Sequence, residues 1–315
     1  MIKYRLYVNV SVWAALGVSL VYALAVWSGF YGFGNDYYAA YSKENLAWGG
    51  WTDRLGWVLS TMTVGRVHIG VFIVSFLTSL ATAFLIRESL SRGRNKFFSL
   101  FFILLLVAIH TWPVIMSTSN AMRQGLAMSF IFLSLVFFAR DRFFWMMFFL
   151  FLSAFSHKSG LMFLGLALAA HLCKKLIRRS FGLHFLIGLA AFSVAFFILP
   201  FYAVLEEESR VISGDFRVPF LIISLSYIAL STYKKTFLRS GYHLVVYYFS
   251  FVFPVFFFRG LNWEFERLGM IMLFPYIFSF GDFLNKRSSV VYLPGTFLAL
   301  LMLTISTGMY SSLKS

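Results

Sequence analysis

Residues Arg123–Ser159 read RQGLAMSFIFLSLVFFARDRFFWMMFFLFLSAFSHKS: two runs without an ionisable side chain, separated by Arg140-Asp141-Arg142. As α-helices, Arg123 to Arg140 rises about 25 Å and Arg142 to His157 about 22 Å, against roughly 30 Å of bilayer hydrocarbon. In hydrocarbon no water can bond the backbone, so such runs persist only as segments that satisfy their own N–H and C=O groups. The stretch therefore reads as two short membrane helices joined by a tight charged turn. It also leaves Arg123, His157 and Lys158 slightly below the membrane surface at the far end.

Working outward, the same pattern recurs about eleven times. The first expected span is Leu6–Ser28, followed by Arg66–Ile86, Phe97–Trp112, Arg123–Ala139, Phe143–Phe155 and Ser159–Leu172. The remaining five are Phe181–Phe201, Val218–Tyr233, Leu244–Phe258, Leu268–Phe283 and Val290–Met309, and Thr52–Gly65 reads as a short interfacial or re-entrant helix. Met1–Arg5 with its following apolar run resembles a signal peptide, but that run exceeds an ordinary signal core and reads as a retained first span. The expected fold is all-α and polytopic, a single integral membrane domain over residues 1–315.

Composition agrees. Of 315 residues, 60% are hydrophobic and only 12% charged, about half the charged fraction of a soluble domain. This excludes an ordinary cytosolic enzyme, a disordered chain and, with Cys173 the sole cysteine, a disulfide scaffold or thiolate cluster. The net charge of +15 is explained by orientation. With Met1 in the cytoplasm, that side carries seventeen Lys and Arg against three acids, and the opposite side ten against nine. The positive-inside rule then gives N-in, C-out, and no basic surplus remains to indicate nucleic acid.

The near-neutral outer side holds the candidate chemistry. Asn120, Arg123 and Gln124 share one helical face by their spacing, at a helix N-terminus that favours an anion; Arg123 alone also fits a snorkelling interfacial residue. His157 and Lys158 sit in the Phe155–Gly160 turn, where the imidazole suits a general base, a hydrogen-bond anchor or a simple helix cap. Glu266 and Arg267, after Arg259, either pair together or hold a polar substrate. Gly34–Tyr41 combines Asp36 with Tyr38 and Tyr41, a composition suited to carbohydrate stacking but also to an interfacial aromatic belt. His68 and His110 read as structural. No zinc spacing, phosphate-binding loop, dinucleotide fingerprint or nucleophile elbow occurs.

Gly34, Asp36 and Tyr41, the Asn120-x-x-Arg123-Gln124 motif, the Phe155-x-His157-x-Ser159 turn and the late Arg267 together resemble the EpsG-like family of exopolysaccharide and O-antigen polymerases, the Wzy type. The resemblance extends over roughly residues 30–285, with one departure: the family commonly has a small residue such as Thr where this chain has Tyr37. It implies a GT-C-like membrane glycosyltransferase bundle in a bacterial cytoplasmic membrane, working at the outer face. Such an enzyme joins oligosaccharide units carried on undecaprenyl diphosphate, with a chain-length regulator as a further partner. On that reading Arg123, Arg267 and Lys158 clamp the diphosphate, with Arg66 and Arg259 as secondary candidates, and Asn120 and Gln124 orient the head group. His157 is the first candidate for proton acceptor and Asp36 or Glu266 the alternatives, with Tyr38 and Tyr41 stacking on sugar. Neither a metal nor another cofactor is expected.

Three rivals use similar residues. A glycan ligase would share the clamp. A membrane O-acyltransferase would need a cytoplasmic acyl donor, for which the basic loops offer little chemistry. A lipid-linked glycan transporter would place ionisable groups near mid-membrane, whereas these fall near a boundary.

Overall fold

A computed structural model describes residues 2–33, 54–55, 69–92, 98–119, 121–177, 180–203, 217–235, 241–259, 262–283, 295–296 and 298. Among the described residues there is no strand. The helices are α1 (Ile2–Trp27), α2 (Ile69–Arg92), α3 (Phe98–Ile109), α4 (Trp112–Ser119), α5 (Met122–Ala139) and α6 (Phe143–Ser156). They continue with α7 (Ser159–Leu176), α8 (Phe181–Ala203), α9 (Arg217–Lys234), α10 (Gly241–Val252), α11 (Pro254–Arg259) and α12 (Asn262–Phe283).

A helix runs through each of the first ten expected spans; of the eleventh, only Gly295, Thr296 and Leu298 are described. Six candidate spans are long and apolar enough to cross a membrane, or seven when α3 and α4 count as one bent span. The apolar helices Phe143–Ser156, Phe220–Lys234 and Leu268–Phe280 are shorter. The chain is thus a polytopic helical membrane protein. Of Thr52–Gly65, only Arg54 and Leu55 are described, both helical.

The expected spans leave a gap between Trp112 and Arg123, and α4 fills it. The α3–α4 bend is 55°. Its cause is Pro113, which has no N–H to continue the α3 ladder. Instead the Thr111 N–H and hydroxyl both donate to the Ala108 carbonyl, at 3.1 and 2.6 Å.

The chain divides into two compact units, one from Met1–Leu164 with Asn285–Ser315 and the other Gly165–Leu284. In the first, α2 packs between α1 and α5, and α5 pairs with α6. Hydroxyls tie these apolar faces together, each such bond being worth about 0.6–2 kcal/mol in a membrane bundle. Ser19 donates to Ser79 at 3.0 Å, Thr78 meets Ser129 at 2.9 Å and Tyr22 meets Thr118 at 2.9 Å. A charged tie joins α2 to the residue that caps α5: Arg140 Nε and Nη2 both lie 2.7 Å from Glu88 Oε2. Glycine permits the closest approaches. A Cβ at Gly125 would strike the Ser117 carbonyl, and one at Gly160 the backbone of Ser153 and Ala154.

In the second unit α10 is buried along its whole length. Its polar groups are satisfied by neighbouring helices: Ser250 and Ser224 reach the Tyr276 hydroxyl at 2.8 and 3.1 Å, and His184 Nδ1 meets Tyr248 at 2.7 Å. Tyr242 donates to the Pro275 carbonyl at 2.8 Å inside α12.

Candidate functional site

The α5–α6 hairpin sets the geometry. Its turn closes with paired bonds from Arg142 N–H to Phe137 O (2.9 Å) and Asp141 N–H to Phe138 O (3.1 Å), Asp141 adopting φ 56°. This is the αL closure that ends many helices, and it reverses the chain within three residues. Stacked rings then fix the antiparallel register: Phe137 on Trp145 and Phe149 at centroid separations of 6.0 and 5.5 Å, and Phe130 on Phe149 at 6.2 Å. An antiparallel hairpin has the start of α5 and the end of α6 at the same far end.

Arg123 and Gln124 lie in the first turn of α5, the former half-buried and the latter 1% exposed. The N-cap is Ala121, whose side chain has no acceptor for the first N–H groups. The helix dipole there favours an anion. Lys158 is half-buried and His157 is 4% exposed. His157 and Lys158 thus stand in the α6–α7 turn, and Arg123 in the first turn of α5.

His157 has an extended backbone (φ −162°, ψ 145°) between α6 and α7. Its N–H closes α6 on the Ser153 carbonyl at 3.0 Å, and its carbonyl accepts from Gly160 N–H at 2.8 Å. Nδ1 accepts from the Ser159 backbone N–H at 3.2 Å and lies 2.9 Å from the Ser159 hydroxyl. The imidazole therefore caps the start of α7, one of the roles open to it from sequence.

Arg259 belongs to the second unit. It is exposed, its Nε donates to the Phe196 carbonyl at 3.1 Å and its guanidinium lies 3.9 Å from the Phe196 ring centroid. The carbonyl has a reason to accept: Pro200, four residues on in α8, has no N–H to offer it. Glu266 and Arg267 lie in the first turns of α12, with side chains outside the described residues. Asp36, Tyr38, Tyr41, Arg66 and Asn120 also lie outside the described residues.

Two features escaped sequence reasoning. One is Ser159 as the partner of the His157 ring, although its position two residues after a turn histidine fits a side-chain cap. The other is the pairing of His110 with Tyr31. In the neutral ring Nδ1–H donates to Leu106 O at 2.7 Å and Nε2 accepts from the Tyr31 hydroxyl at 2.8 Å. Both side a cavity of about 470 Å³, otherwise lined by apolar residues of α1 and α3 such as Val18, Val21, Phe102 and Leu106, with Tyr22 beside them.

The family model described as the EpsG family matches residues 14–314, essentially the whole chain. No curated protein and no solved structure matches it.

Proposed function

The chain belongs to the EpsG family, and from that membership we propose that it is a polysaccharide polymerase joining oligosaccharide units carried on undecaprenyl diphosphate. The match over residues 14–314 carries the reading, and the cationic Arg123 at the start of α5 and Lys158 in the α6–α7 turn suit a diphosphate. The proposed enzyme is a GT-C-like bundle of about eleven spans, N-in and C-out, in a bacterial cytoplasmic membrane. Its site opens on the outer face, and its proposed partner there, by family alone, is a chain-length regulator.

In the reaction, a hydroxyl oxygen of one unit attacks the anomeric carbon of the lipid-linked chain. The bond from that carbon to the diphosphate oxygen breaks, its electron pair leaves with undecaprenyl diphosphate, and the hydroxyl proton passes to a base. Negative charge grows on the departing diphosphate, so fixed cationic donors lower the barrier. Arg123 and Lys158 supply that charge from the hairpin, with Arg267 as third member and Arg66 and Arg259 as secondary ones. Arginine suits the task because its planar fork matches two phosphate oxygens. Asn120 and Gln124 orient the head group, Tyr38 and Tyr41 stack on sugar, and His157, Asp36 and Glu266 are the groups that handle the proton.

Reconstitution of the full chain with purified lipid-linked repeat units tests this. A ladder of products spaced by one repeat is expected. Absence of a ladder with several substrates, accompanied by substrate crossing the bilayer, would replace polymerisation with transport.

A further inference from the structure

The cavity of about 470 Å³ between α1 and α3 has walls that suit hydrocarbon. On α1 it is lined by Ala14, Gly17, Val18, Val21 and Ala25, whose three- and four-residue spacing makes one stripe rising about 16 Å. Phe102, Leu106 and Ile109 line it from α3. A Cβ at Gly17 would meet nothing within 4 Å, so the stripe is a trough rather than a packed seam. Val21 is exposed, and only 33% of the Val10–Trp27 span is buried in protein, so the trough opens sideways to the bilayer. Resting on the polymerase reading above, we infer that this trough seats the isoprenoid tail of the lipid diphosphate substrate.

Apolar walls do not hold water, so the occupant at this depth is a hydrocarbon chain. The polar end of the trough is not a phosphate site. His110 gives its Nδ1 proton to Leu106 O at 2.7 Å, and Tyr31 gives its hydroxyl proton to Nε2 at 2.8 Å, so neither has a proton left for an anion. On the proposed orientation this pair closes the outer end, and a chain runs inward from it. The trough wall is also tied to the segment that leads to Arg123. The Tyr22 hydroxyl meets Thr118 Oγ1 of α4 at 2.9 Å, and Ala121 N–H donates to Met116 O at 2.8 Å where α4 gives way to α5. Arg123 follows in the first turn of α5. That connection favours the tail of the substrate over a phospholipid chain, since the proposed clamp holds the diphosphate end. An undecaprenyl tail is longer than the trough, so the seated stretch and the diphosphate need not be adjacent.

The test uses the full chain in lipid nanodiscs, with labelled undecaprenyl diphosphate and labelled phosphatidylglycerol as probes at equal mole fraction. A photoreactive benzophenone amino acid is placed at Val18 inside the trough or, as control, at Leu20, which is exposed but outside it. Val18 is expected to capture several-fold more undecaprenyl diphosphate than Leu20 does, and more of it than of phosphatidylglycerol. Equal capture at the two positions, or of the two lipids, overturns the inference. Gly17→Phe puts a ring where no atom stands, and its melting temperature is expected to stay near that of the unaltered chain. Bilayer chains are as apolar as the trough, so the seat acts by packing, and Gly17→Phe is expected to weaken undecaprenyl diphosphate binding about 3- to 30-fold. Unchanged binding in folded Gly17→Phe also overturns the inference; should that variant fail to fold, the capture ratios alone decide. Preferential capture without a product ladder would sink the polymerase reading and leave the seat standing, and a ladder without preferential capture would do the reverse.

Discussion

At the scale of single residues, the distinction between charge and shape is testable at Arg123. Arg123 is half-buried at the start of α5, and on the proposed reading its guanidinium meets the diphosphate with two parallel N–H groups, which an ammonium cannot do. Arg123→Lys keeps the charge and is expected to slow elongation about tenfold to hundredfold. Arg123→Ala is expected to abolish it with membrane abundance unchanged. Product ladders and immunoblots of the same membranes check both, and near-normal elongation in Arg123→Ala would remove the residue from the mechanism. His157→Ala has a second expected effect, because it also removes the cap of α7 at a cost of about 1 kcal/mol. Its loss of activity must therefore be read beside a thermal melt.

At the scale of elements, the site end depends on close helix approaches rather than on apolar area alone. Gly125 abuts the Ser117 carbonyl of α4, and Gly160 the backbone at Ser153 and Ala154 of α6. Because the obstacle is backbone in both cases, a methyl group cannot be absorbed by a side-chain rotation. Gly125→Ala and Gly160→Ala are each expected to destabilise the detergent-solubilised protein by about 1–3 kcal/mol or more, measured as a lower melting temperature and reduced abundance. The opposite sign is expected at the other end of the same hairpin. Asp141 adopts φ 56°, a conformation that costs a non-glycine residue energy, so Asp141→Gly is expected to stabilise the turn by up to about 1 kcal/mol. A lower melting temperature in Asp141→Gly would show that its carboxylate outweighs the backbone relief.

At the scale of the whole molecule, the proposed orientation and the proposed metal independence can be checked without any substrate assignment beyond the reconstitution. In a Cys173→Ser background, Ser28→Cys and Ser180→Cys report on opposite ends of the spans, since both positions are exposed. A membrane-impermeant maleimide is expected to label Ser28→Cys in intact cells and Ser180→Cys only after permeabilisation; the reverse pattern would invert the topology. A chelator added to the reconstituted enzyme is expected to leave the rate unchanged, and strong inhibition would overturn the metal-free mechanism.

Apolar run lengths and their flanking charges are enough to place most helices and each charge cluster along the chain. Hydrocarbon forces every apolar run to satisfy its own backbone, so run length and flanking Lys or Arg are legible one segment at a time. The same arithmetic set Arg123 and His157 at matching depths before any packing was known. It failed at α4, where a proline bend and a short helix replaced an apparent loop. Which rings meet across the hairpin, Phe137 on Trp145 and Phe149 and Phe130 on Phe149, came from the tertiary structure alone. It also revealed that Arg259 is engaged by the Phe196 carbonyl, and that Ser159 commits one nitrogen of His157 to capping. These facts are tertiary because a hydrogen-bond direction and a ring contact depend on atoms placed in three dimensions, whereas a membrane span depends only on the polarity of consecutive side chains.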